Sequence, residues 1–137
     1  MCLGRNTILL TNKRKPKYAY EINNDDNLID ANYVKIPIEN SSILWSIEYI
    51  ITNKKTGTTY SAHENHYLVL IDEKDSLQYI ATGEAINGKW KGIRLLSESL
   101  YDTYDVEITA TNNIIDFYDF THKSCMVLLG DGTITGI

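Results

Sequence analysis

The sequence predicts an all-β fold: an antiparallel sandwich or partly closed barrel of sequential hairpins across residues 1–137, with at most one short helical turn near 97–104. Three observations predict it. From Ile43 to Thr52 apolar and polar residues alternate with period two, the spacing of a strand with one apolar face. Similar short runs are separated by turn formers at Gly57, Asn87-Gly88, Asn112-Asn113 and Asp131-Gly132, and tight turns between many short strands are the mark of sandwiches and barrels. The aromatic set is ten Tyr, two Trp and two Phe. Tyrosine suits strands, because its ring packs while its hydroxyl stays wet.

At 137 residues the chain forms one domain. That length buries about two thirds of the unfolded surface, so no disulfide or metal is needed for stability.

In chain order, residues 3–10 read as a short strand ending at Thr11-Asn12. A basic loop, Lys13-Arg14-Lys15-Pro16-Lys17, follows and reads as a solvated face. Lys17 to Ile22 alternates again, and Asn23 to Asp30 is a polar loop. Tyr33 to Ile38 is a strand that Pro37 places at an edge. The spine is Ile43 to Leu96. Asn53 to Thr58 fits a four-residue hairpin loop with Gly57 in the left-handed conformation, which sets Ile51 opposite Tyr60 and Tyr49 opposite Ala62.

Tyr67 to Ile71 is apolar on both faces, as a central strand is, and Asp72 to Ser76 is a charged turn. Leu77 to Ile86 returns, and Asn87-Gly88 predicts a two-residue hairpin with Gly83 facing Gly92, a dent able to accept an aromatic ring. Asn112-Asn113 predicts a second tight hairpin, pairing Ile108 with Phe117. Cys125 to Leu129 turns at Asp131-Gly132 into Thr133–Ile137.

The net charge of −5 excludes a general phosphate-backbone binder, so no nucleic-acid partner is expected. No run approaches the roughly 20 apolar residues of a membrane span, so no membrane partner is expected either. MCLGRNTILL lacks the apolar length and the cleavage site of a secretory signal. Cys2 and Cys125 are therefore expected as reduced thiols in a cytoplasmic protein.

The chemical candidates are few. His63 and His66 flank Glu64-Asn65, with His122 elsewhere. On a strand, residues three apart diverge, so a turn is needed to bring these histidines together. The expected metal and cofactor content is none. Asp102, Asp105, Asp116 and Asp119, interleaved with Tyr101, Tyr104 and Tyr118, form an acidic tyrosine-rich segment suited to a protein interface. Trp45, Tyr60, His66, Trp90, Tyr101 and Tyr104 are the expected ligand-binding residues, and no residue is assigned a catalytic role.

Three local resemblances bear on function. The stretch from Asn65 through Asp72 to Gln78-Tyr79-Ile80-Ala81 resembles the histidine hairpin of papain-like peptidases of the bacteriocin-processing type, which implies His66 as base for a cysteine. Cys2, once Met1 is removed, resembles the nucleophile of N-terminal nucleophile hydrolases. Gly88-Lys89-Trp90 resembles the Gly-x-Trp marker of lipocalin-type barrels.

The leading expectation is a small acidic binding protein, an inhibitor or neutralising factor of phage or immunity type. The alternatives are a small-molecule-sequestering β-barrel and a thiol hydrolase using Cys2 or Cys125 with His66. The expected partners are another protein or a small ligand, or a second copy paired along the Tyr33–Ile38 edge.

Overall fold

The computed structural model describes residues 1–12 and 15–136. Its first half contains β1 (Cys2–Gly4), β2 (Ile8–Thr11), β3 (Lys15–Tyr18), β4 (Asn27–Ile29), β5 (Lys35–Pro37), β6 (Asn40–Asn53) and β7 (Thr59–Ala62). The second half contains β8 (Tyr67–Ile71), β9 (Leu77–Ala81), a single helical turn α1 (Thr82–Ala85), β10 (Trp90–Leu95), β11 (Tyr101–Thr121), β12 (Val127–Leu128) and β13 (Ile134–Thr135). A 3-10 turn spans Ala19–Glu21. The fold is thus nearly all antiparallel β, as the sequence predicts.

β6 and β11 form the frame. They pair from Val106↔Asn53 to Thr121↔Asn40, with the register shifting between Ala110 and Ile114. β7 folds back on β6 with Ile51 opposite Tyr60 and Tyr49 opposite Ala62, the predicted register. Gly57 closes that loop at φ 79, where its N–H donates to the Asn53 carbonyl. β1 then closes a ring. It pairs with β11 at Cys2↔Asp119, Leu3↔Tyr118 and Gly4↔Phe117, and with β7 at Leu3↔Ala62. The sheet continues from β11 through β10 and β8 to β9, and a second sheet runs β3-β2-β4-β5. Leu3, Leu9, Leu28, Leu68, Phe120 and Val127 form the main core where these layers meet.

Several local expectations give way to longer-range pairing. Asn87-Gly88 does not join a hairpin: β8 lies between β9 and β10. Thr82 turns the chain instead, because it is buried and both its N–H and its hydroxyl donate to the His66 carbonyl. Asn112-Asn113 is a bulge within β11, not a turn. Thr111 Oγ1 donates to the Glu48 carbonyl at 2.8 Å, and the unbroken partnership with β6 outweighs a local hairpin. The segment 97–104 contains no helical turn; β11 begins at Tyr101, and Leu95 faces it across the connection. Lys17 to Ile22 runs from strand into the 3-10 turn. Of the basic loop, Lys13 and Arg14 lie outside the described residues, and Lys17 pairs with Asp26 at 3.0 Å. Ile137 is outside them too.

The predicted dent is present in altered form. Gly83 sits in α1, but Gly92 faces Tyr104 across the β10–β11 pair. A Cβ at Gly92 would stand 2.4 Å from the Tyr104 ring. Gly92→Ala is therefore expected to displace that ring and break its 3.3 Å bond to Thr133. Overpacking of this kind costs about 1–3 kcal/mol, and a urea melt of the variant checks it.

The edge at Lys35–Pro37 is only three residues long, with Lys35 and Pro37 exposed. Short, charged and proline-blunted edges resist strand addition, which argues against the expected pairing of two copies there. The apolar face of β6 is buried only toward its end: Ile51 is 3% exposed, whereas Trp45 is 69% exposed.

Candidate active site

Met1 and Phe120, 119 residues apart in sequence, meet in the fold. The Met1 amine donates to the Phe120 carbonyl at 3.0 Å, and the Phe120 N–H donates to the Met1 carbonyl at 2.8 Å. This reciprocal pair extends the β1–β11 ladder through Met1. The next residue, Cys2, faces Asp119. Hydrogen-bonded and non-hydrogen-bonded positions alternate along an antiparallel pair. The backbone groups of Cys2 therefore turn away from β11, and its carbonyl accepts the His63 N–H at 3.2 Å. The Met1–Cys2 peptide is thus held through its carbonyl by β11, and the following Cys2–Leu3 peptide through its carbonyl by the end of β7.

A turn does bring the two histidines to one place. The His66 N–H donates to the His63 carbonyl at 2.9 Å, and the Asn65 N–H donates to His63 Nδ1 at 3.0 Å. α1 braces this turn, since the Gly83 N–H donates to the Glu64 carbonyl and Thr82 holds the His66 carbonyl twice. The His63 ring stands edge-on to Phe117, with centroids 5.6 Å apart. His66 is 1% exposed. Its Nε2 lies 2.7 Å from Thr135 Oγ1, and its buried Nδ1 has no hydrogen-bond partner among the described residues.

The electrostatics tie these groups together. Burial pushes His66 down from 6.5 to about 3, and the Met1 ammonium, His63 and His122 add to that effect. Burial also lowers His122, aided by the same ammonium. All three histidines therefore lie within electrostatic reach of one another or of the N-terminus. Among the described residues, no group of three or more His, Cys, Asp or Glu could hold a metal ion together. The Cys2 thiol is pushed up to about 12 by burial and then by Asp119, with the Met1 ammonium opposing. At neutral pH the Cys2 thiol is therefore protonated and the buried His66 imidazole neutral.

The six expected ligand residues divide. Tyr60 and Tyr104 line one cavity of about 590 Å³ with Ile51, Leu129 and Thr133. His66 connects to that cavity wall indirectly, because Thr135 Oγ1 also lies 3.4 Å from the Tyr60 hydroxyl. Trp90 is elsewhere, donating its indole N–H to the Ala85 carbonyl at 2.8 Å and lying against Gly88. Trp45 and Tyr101 are exposed on other parts of the surface. Met1, Asp119 and Thr135 were not among the expected site residues. No local motif marks them, because they reach the site through pairing across the full length of the chain.

The acidic tyrosine-rich segment does not form one patch. Asp102 pairs with Arg94 and Lys55, Asp116 with Arg5, and Asp119 with the Met1 amine. Both thiols are free; Cys2 is buried and Cys125 exposed.

No protein-family model matches the sequence, and the curated proteins yield no match. Solved structures do match, over essentially the whole chain. A DnaB intein from Synechocystis sp. PCC 6803 superposes with a TM-score of 0.75 at 14% identity, covering 99% of this chain and 98% of that one. The gp41-1 intein superposes with a TM-score of 0.75 at 13% identity, covering 99% and 98%. A splice-inactive variant of the AceL NrdHF class 3 split intein gives 0.74 at 15%, covering 98% and 97%. The fold is that of the inteins.

This likeness overturns the expected functions. An inhibitor or neutralising factor, a small-molecule-sequestering barrel and a thiol hydrolase each call for a separate target, ligand or substrate. The matched proteins are inteins, not inhibitors, ligand carriers or hydrolases. The expected partners, another protein, a small ligand or a second copy, fall for the same reason. The interface reading also fails physically, because three of its four carboxylates, Asp102, Asp116 and Asp119, are taken up by ion pairs within the chain. Among the described residues, no helix is long and apolar enough to cross a membrane.

Proposed function

We propose that this chain is a self-processing domain of the intein type, which acts on the backbone bond between Met1 and Cys2 within a longer polypeptide. The observation that carries the reading is the Met1 carbonyl held by the Phe120 N–H, with Cys2 opposite Asp119 and the buried His66 imidazole within electrostatic reach of the Met1 amine. The Met1 amine donates to Phe120 as a backbone amide would, so an upstream residue can continue the ladder.

The reaction is an acyl shift. Cys2 Sγ loses its proton and attacks the Met1 carbonyl carbon. The carbon–nitrogen bond to Cys2 breaks, and the nitrogen gains a proton to become an amine. The Met1 acyl group is left as a thioester on Sγ. Asp119, facing Cys2, accepts the thiol proton. His66 passes its ring proton to the departing nitrogen, and the thiol proton held by Asp119 returns to the imidazole, so the net change is one proton moved from sulfur to nitrogen. Holding the reacting atoms in one fixed geometry makes the step intramolecular, a large part of what such catalysis requires. A resting thiol at about 12 is a weak nucleophile, so proton removal must accompany attack.

The test is a fusion of a folded reporter to Met1. Incubation with dithiothreitol is expected to release the reporter with Met1 at its C-terminus, and Cys2→Ala is expected to abolish release. A fusion that stays intact in both dithiothreitol and hydroxylamine would overturn the reading.

A further inference from the structure

A buried imidazole that delivers a proton must carry it on the correct nitrogen, and the tautomer is set by what the other nitrogen meets. His66 Nε2 meets only the Thr135 hydroxyl, at 2.7 Å, among the described residues. Thr135 in turn lies 3.4 Å from the Tyr60 hydroxyl. A hydroxyl has one proton to give and two lone pairs. The phenol is the more acidic of the two hydroxyls, and burial holds it protonated. It therefore donates to Thr135 Oγ1, which leaves the threonine proton for the imidazole.

We propose that Tyr60 and Thr135 are positioning residues that form a one-way donor chain, Tyr60 O–H to Thr135 O–H to His66 Nε2, and so fix the proton of His66 on Nδ1. That nitrogen is the one without a partner. The inference rests on the self-processing reading and says why the site depends on residues from β7 and β13. Thr135 lies on a two-residue strand held by Val127 and Leu128. It is fully buried, so water does not compete for its hydroxyl. Tyr60 lies on β7, three residues before His63. The same strand thus supplies one end of the donor chain and leads into the turn that holds the imidazole.

The experiment has two readouts. In the chain as it exists, nitrogen NMR of the His66 ring is expected to show a protonated Nδ1 and a bare Nε2. Thr135→Val is expected to move the proton toward Nε2 and Thr135→Ser to restore it, with Tyr60→Phe weakening the bias while keeping the ring. In the reporter fusion, Thr135→Val is expected to slow thiol-dependent release about tenfold or more, and Thr135→Ser to recover it. A wild-type ring protonated on Nε2 overturns the proposal, as does a Thr135→Val ring, or a Tyr60→Phe ring, that keeps the wild-type tautomer. A tautomer that responds as expected in a fusion that never cleaves supports the donor chain and sinks the processing reading instead.

Discussion

Replacing His66 with alanine is expected to slow thiol-dependent release at Met1–Cys2 by roughly 10²–10⁴-fold, the usual worth of a placed proton donor. His63→Ala and His122→Ala are expected to cost far less. His63 contributes its backbone N–H, which alanine keeps, and its ring packs on Phe117. His122 uses Nδ1 to accept the Ser124 N–H at 3.3 Å. Equal losses from all three variants would contradict the role given to His66.

The same imidazole links stability to pH. His66 is neutral in the folded chain down to about 3, whereas an unfolded histidine titrates at 6.5. Between those values the unfolded state binds a proton that the folded state refuses. Stability is therefore fully present above about 6.5 and falls as pH drops through this window, by roughly 1 kcal/mol per pH unit. Chemical denaturation at a series of pH values reads this slope, and His66→Ala is expected to flatten it. Titration of the partly buried His122 contributes a smaller slope of the same sign.

The second large effect is on the fold itself. Phe120→Ala is expected to cost about 3–5 kcal/mol, the range for emptying a buried aromatic site. Phe120 is fully buried, packs in the main core, and pairs with Met1 through both backbone groups. Trp45→Ala removes a larger ring but is expected to change stability by less than about 0.5 kcal/mol, because Trp45 is 69% exposed. Urea midpoints for the two variants test the contrast. A Trp45 variant as damaged as the Phe120 variant would mean that the outer half of β6 is covered.

Much of the architecture was legible in the residues. Period-two patterning located β6, and Gly57 set the β6–β7 register, because the turn and the apolar face demanded the same pairing. Asn87-Gly88 and Asn112-Asn113 misled for one shared reason. A dipeptide reports its local preference, and here a distant partner overrode it: His66 for Thr82, and β6 for the middle of β11. The candidate site was legible only in fragments. His66 and Cys2 were both noted, but nothing local placed them together. The hairpin register that pairs Ile108 with Phe117 puts Asp119 opposite Val106; in the fold it faces Cys2, because β11 is one continuous strand with β1 along its side.

The ring that β1 closes with β7, β6 and β11 also sets a schedule. A ribosome makes β1 long before its partner at 117–119, and Thr135 later still. Contacts of such sequence separation form late in folding. On the self-processing proposal the Met1–Cys2 bond therefore stays an ordinary amide until residues 117–135 have been made and paired, so that the synthesis of its distant partners times the chemistry.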